Sequence, residues 1–176
     1  MNPPIAQDEI DALIVSITRN VFSIMLGVEV RPGTPRTGLA NRGPNGGVVS
    51  FIGLTGAWTG TGSIYCSSEM ACKIGSRLLM TTLDTVDEEV LDAVGEIANM
   101  VIGNFKDDAA HILGPLGVST PTVIHGRNFE ARSPSGQFST VVPFEWEGEV
   151  FDVKICLAPL VGIEDWSRPA VIVAQH

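Results

Sequence analysis

Asp92, Glu96, Asn99 and Gly103 follow one another at steps of four, three and four within TVDEEVLDAVGEIANMVIGNFKDD. At about 100° per helical residue they share a strip roughly 40 to 60° wide, opposite Val101. An amide such as Asn99 accepts from and donates to one water at once, so it can fix that water's orientation without titrating. A solvated outer face is the ordinary explanation of such a stripe. Two details resist it. Asn is a mediocre residue for a helix interior, and a mid-helix Gly costs about 1 kcal/mol against Ala. Gly103 also removes bulk beside Asn99, so another backbone or side chain can approach closely there.

Other chemistries lack their residues. His111, His125 and His176 are far apart in sequence and none has HExxH-like spacing, so no metal site is expected. Cys72 precedes Lys73 and Arg77 but falls within a predicted helix, unlike the cysteine of a CxxxxxR phosphatase loop. No Ser sits in a nucleophile elbow. A self-contained hydrolase is therefore not expected.

The element that must carry the stripe is a long helix. Thr85 followed by Glu88 reads as a capping box, with Asp87, Glu88 and Glu89 favouring the positive end of the dipole, so the helix is expected to begin at Thr85. Val90, Val94, Ile97, Val101 and Phe105, widened by Leu91, Ala98 and Ile102, form its core face.

Asp92-x-x-x-Glu96-x-x-Asn99, set in EIANMVIGNFK, resembles the signature of the CheC/CheX/FliY family of chemotaxis phosphatases, which dephosphorylate the response regulator CheY. The family pattern adds a Pro a little over twenty residues on; Pro121 stands about one position short, which implies a slightly shortened connection. The resemblance is closest to the single-site CheX type and implies a phosphatase acting on a phosphorylated CheY-like receiver domain. An aspartyl phosphate is labile, and a receiver supplies magnesium and a lysine, so a helper needs only to place a water in line. On the resemblance, Glu96 docks against the receiver lysine and Asn99 positions the water. Asp92 and Gly103 are partner-binding positions, with the part played by Asp92 left open. No cofactor of the chain's own is expected; magnesium is expected on the partner. The alternative is a non-catalytic adaptor of a chemotaxis or flagellar-switch complex using the same face for docking. Exposed strand edges making a homodimer, as the CheX resemblance implies, are compatible with either.

Composition bounds the rest. A chain of 176 residues with 44% apolar content suits one globular domain, 1–176, with a sizeable core. The net charge of −9, with eleven Lys and Arg scattered along the sequence, argues against nucleic acid. No apolar run is long enough to cross a membrane, and the acidic, proline-containing start is unlike a signal peptide, so a cytoplasmic location is expected. Cys66, Cys72 and Cys156 lack metal-ligand spacing and are expected to be buried free thiols.

In chain order, an amphipathic helix is expected from about Ala6 to Leu26, stopped by Gly27. Laying Gly27 over Gly103 puts Ser16, Asn20 and Ser23 where Asp92, Glu96 and Asn99 stand later. Residues 32–47, rich in Gly and Pro, read as a loop; with Arg31, Arg36 and Arg42 it is either an irregular connector or a basic flap for an acidic partner. VVSFIGL, the glycine-punctuated TGAWTGTG and SIYCS read as a hairpin, with Gly56 and Gly60 near its turn and Trp58 between them. A helix from about Glu69 to Met80, capped by Ser67 or Ser68, follows, with Met70, Ala71, Ile74, Leu78 and Leu79 inward. GVSTPTVIHG, QFSTVVPFEW and EVFDVKICLAPL are three further strands, the last two joined at Trp146–Glu149. The tail from Ile163 to His176 is expected to add a helical turn and a strand.

Helix, three strands and short helix, then helix and three strands, read as a duplication with half-repeats at about 6–80 and 85–160. The class is α+β, a mostly antiparallel sheet covered by helices on one face. The resemblance implies a pseudo-twofold CheC-like fold with two long helices side by side.

Overall fold

The computed structural model describes residues 4–37, 40–42, 47–127, 130–132 and 138–160; the expected tail elements lie outside them. Helix α1 (Gln7–Val21) runs on into a π-helical turn (Phe22–Leu26) closed by Gly27 in the left-handed region, φ 64°. Strands β1 (Arg31–Pro32) and β2 (Ala40–Arg42) lead to β3 (Gly47–Gly56) and β4 (Trp58–Ser67). Helices α2 (Ser68–Leu78) and α3 (Glu88–Leu113) follow, then β5 (Leu116–Val118), β6 (Thr122–Gly126), β7 (Glu130–Arg132), β8 (Phe138–Trp146) and β9 (Glu149–Pro159).

Strands β1, β8, β9, β4 and β3 lie in that order in a seven-stranded sheet, with β5 and β6 both on the outer edge of β3. Every pairing is antiparallel, and β2 pairs with β7 as a separate ribbon. The order is palindromic. Exchanging β4 with β9, β3 with β8, and β1 with β5 and β6 reverses the sheet onto itself, while β2 and β7 exchange within their own pair. The helices pack on one face. There Val48, Ile52, Ile64, Val142, Phe144, Val153 and Ile155 alternate inward and form one core with the helices' buried stripes. Phe22, Phe144 and Phe151 stack at its centre, with ring centroids 4.7 and 5.3 Å apart.

Several local expectations change. The long helix starts at Glu88, and its cap is Asp87, whose carboxylate accepts from the Val90 N–H at 3.0 Å; Thr85 lies outside the helix. TGAWTGTG straddles the turn of the expected hairpin: Thr55 and Gly56 end β3, Ala57 makes the turn, and Trp58 to Gly62 run on with SIYCS as β4, where Gly60 and Gly62 pair through the β9 ladder without interruption. GVSTPTVIHG is broken into β5 and β6. Residues 32–47 are no plain loop: Pro32 pairs with Phe144, Arg36 bridges Val141, and 40–42 form β2. The cap of α2 is Ser67, accepting from the Met70 N–H at 3.0 Å. Leu79 faces outward, 46% exposed, because the helix closes one residue earlier. The turn after Trp146 is as read, with Glu147 and Gly148 at φ 50° and 82°.

Candidate functional site

Helix α3 is the middle helix of its layer. It packs against α1 on one flank and α2 on the other, over β3, β4, β5 and β6. Through its central turns Ala93, Val94, Gly95, Ile97 and Ala98 are all buried. What reaches solvent there is narrow: Asp92 and Glu96 are exposed, and Asn99, Met100 and Gly103 are half-buried. Among the described residues no hydrogen bond or ion pair engages the side chain of Asp92, Glu96 or Asn99. The structure therefore brings the four stripe residues together on a rigid, supported helix, with a carboxylate and an amide free to meet another molecule.

The two interior glycines of α3 differ. A Cβ on Gly95 would sit 3.2 Å from Val123 Cγ2 and 3.8 Å from Pro121 Cβ, so packing inside the chain accounts for that glycine. A Cβ on Gly103 would meet nothing within 4 Å. Nothing among the described residues repays its helix cost. Pro121, the outlying member of the sequence pattern, thus lies against the helix one residue before Glu96. Sequence reasoning passed over Gly95, although its place on the buried face between Leu91 and Ala98 was a readable signal of close approach.

The other candidates are disposed differently. Cys66, Cys72 and Cys156 are buried free thiols. Burial pushes the Cys66 thiol up to about 12, and burial, then the Asp87 and Asp84 carboxylates, push Cys72 up as well. Neither is a ready nucleophile. His111 and His125 are exposed and apart, and among the described residues no group of three His, Cys, Asp or Glu side chains could hold a metal. The basic flap is not supported by Arg31 or Arg36. Arg31 pairs with Glu145 at 2.9 Å and Arg36 with Asp152, whose carboxyl is nonetheless raised, burial outweighing the guanidinium. Arg42 lies in β2. A cleft of about 890 Å³ between α2 and the α2–α3 connection is lined by Cys72, Lys73, Arg77, Asp84 and Trp146, and none of the stripe residues borders it.

Fold and site together define a member of the CheC-like class: a palindromic antiparallel sheet backed by helices, one of which carries an outward Glu and Asn. A CheC-like superfamily protein from a Shewanella species superposes with a TM-score of 0.76 at 26% identity, over 88% of this chain and 99% of that one. The model of the family described as chemotaxis phosphatase CheX matches residues 48–145. The CheY-P phosphatase CheX of Thermotoga maritima is 31% identical over 125 residues, 70% of this chain and 79% of that protein. The chain belongs to the CheX family. A CheX from Borrelia burgdorferi, solved in complex with CheY, BeF3 and Mg, has a TM-score of 0.72 at 26% identity, over 84% of this chain and 96% of that one.

Proposed function

We propose that this chain is a phosphatase for the aspartyl phosphate of a CheY-like response regulator, acting by insertion of the α3 stripe into the receiver's active site. The observation that carries the reading is the pair Glu96 and Asn99, unpartnered and outward on the supported middle of α3, in a chain of the CheX family. The reaction is attack of water on phosphorus with departure of the aspartate carboxylate. Charge neutralisation comes from the receiver's magnesium and lysine, and the chain brings no cofactor of its own. Its contribution is position. Asn99 accepts from and donates to the attacking water, holding it in line with the breaking bond. Glu96 pairs with the receiver lysine and seats the helix, Asp92 makes an edge contact, and Gly103 leaves room for the receiver backbone.

The reading carries further proposals. Residues 1–176 form one domain with half-repeats at about 6–80 and 85–160. The protein works in the cytoplasm; among the described residues no helix is long and apolar enough to cross a membrane. It forms a homodimer through a sheet edge, where β6 has no second strand among the described residues and Ile124 is 43% exposed. Gel filtration at the mass of one chain removes the dimer.

Phosphate release from a phosphorylated CheY receiver tests the reading. The parent protein is expected to clear receiver in excess of its own amount, which an adaptor cannot do. Asn99→Ala is expected to lose about a hundredfold in acceleration with its thermal transition unchanged. Glu96→Ala is expected to lose affinity for the receiver as well as rate. An unchanged rate in Asn99→Ala removes the assignment.

A further inference from the structure

We propose that the bend between β5 and β6 is a buttress that sets the rotation of α3, making Gly95, Pro121 and Ser119 positioning residues for the reaction. The proposal rests on the reading of Glu96 and Asn99 given above. The bend is tied to the sheet at one point. The Ser119 N–H donates to the Gly53 carbonyl at 3.0 Å, and the Gly53 N–H donates back to Ser119 Oγ at 2.8 Å. Ser119 Oγ also donates to the Thr120 carbonyl at 2.9 Å, which closes the bend on itself. From this anchor Pro121 and Val123 project onto α3 at Gly95, where an added Cβ would meet Val123 Cγ2 at 3.2 Å. Pro121 suits the post, since its fixed φ keeps the bend stiff and it has no N–H to leave unpaired.

The path from sheet to site is then continuous: Gly53, Ser119, Pro121 and Val123, Gly95, and the next residue is Glu96. The consequence is geometric. A rotation of α3 by about 10° moves a group about 6 Å from the helix axis by about 1 Å, the scale of misplacement that costs a positioned reaction up to about a hundredfold. The two working side chains feel that rotation unequally. Asn99 has a short, two-torsion side chain and passes the displacement on to its water. Glu96 has a third torsion and a carboxylate that can follow a lysine. A disturbed buttress therefore lowers kcat and leaves docking almost intact, whereas a merely destabilised protein would lose both with its folded fraction.

The test uses the full chain with a CheY receiver. Turnover is measured on the phosphorylated receiver, affinity on the receiver loaded with beryllofluoride and magnesium, and amide NMR shifts report on α3. Gly95→Ala and Ser119→Ala are each expected to lower kcat about tenfold with receiver Kd within about twofold of the parent and shifted amides from Glu96 to Asn99. Val123→Ala, which vacates the space the new methyl needs, is expected to restore Gly95→Ala to within about threefold. Parental kcat in Gly95→Ala, or a loss that Val123→Ala does not repair, overturns the buttress. If Gly95→Ala does not fold, Ser119→Ala decides by the same comparison, because Ser119 is exposed and parental kcat there overturns it equally. Asn99→Ala run alongside separates the two levels: a parental rate in that variant removes the reading of the site itself, while its loss with an intact Gly95→Ala removes only the buttress.

Discussion

At the scale of single residues, Gly103 discriminates between a solvated face and a docking surface. It sits in the interior of a helix, where Gly costs about 0.5–1 kcal/mol against Ala, and the space beside it is open. Gly103→Ala is therefore expected to raise the urea midpoint by the equivalent of about 0.5–1 kcal/mol while weakening receiver binding several-fold; stabilisation with unchanged binding would leave the glycine without a role in docking. Cys66 gives a pH signature. Burial pushes its thiol up to about 12 from an ordinary value of 9.0, so the stabilisation from keeping it a thiol is fully present below pH 9. It is lost as the pH rises from there towards the folded value, because the unfolded chain ionises first. The parent urea midpoint is expected to fall above pH 9, and Cys66→Ala, though less stable at neutral pH, to fall less steeply; parallel profiles would refute this. The stripe residues were legible because a helical period fixes which side chains share a face. Their freedom from partners was not, since only the packing of α1 and α2 on either flank shows what remains uncovered.

At the scale of elements, helices and tight hairpin turns are legible in the sequence and the longer connections are not. The period of apolar residues located α1, α2 and α3 to within a few positions, yet the start of α3 was misjudged because Thr85 and Asp87 both offer a capping oxygen. A tertiary contact decides between them. The Leu83 N–H donates to Ser76 Oγ at 2.9 Å, pinning the connection to α2, and α3 then begins at Glu88 with Asp87 as its cap. Asp87→Ala is expected to lower stability by about 1 kcal/mol in urea unfolding, with Thr85→Ala close to neutral; the reverse order would contradict this assignment. The exit of α2 has the opposite character. Met80 holds φ 51° and is 93% exposed, while the Thr81 N–H donates to the Ser76 carbonyl, a left-handed closure that Gly ordinarily provides. Local sequence also misread residues 32–47. Their glycines and prolines signalled a loop, whereas the pairings that shape them are with strands distant in sequence, Pro32 with Phe144 of β8 and Ala40 with Arg132 of β7.

At the scale of the whole molecule, a palindromic architecture carries a single chemical pair. Helices α1 and α3 flank each other in one layer, and the first half offers Ser16, Asn20 and Ser23, all exposed, where the second offers Asp92, Glu96 and Asn99. The helices also differ in extent. Gly27 terminates the first in the left-handed region, but Gly103 is passed through by α3, which continues to Leu113. Ser16 and Ser23 carry hydroxyls too short to reach into a pocket from that surface, Asn20 has no carboxylate one turn away on its own helix, and the neighbouring Glu29 is paired with Arg19 at 3.6 Å. The order of elements was legible in the sequence, and the difference between the two helix faces lies in side-chain chemistry. One chain is therefore expected to bind one receiver. Titration calorimetry with a beryllofluoride-loaded CheY receiver should saturate at a single equivalent per chain, and Asn99→Ala should leave no second, slower phase of phosphate release. Two equivalents bound, or about half the parental rate surviving in Asn99→Ala, would place a working surface on α1 and overturn the assignment of turnover to α3 alone.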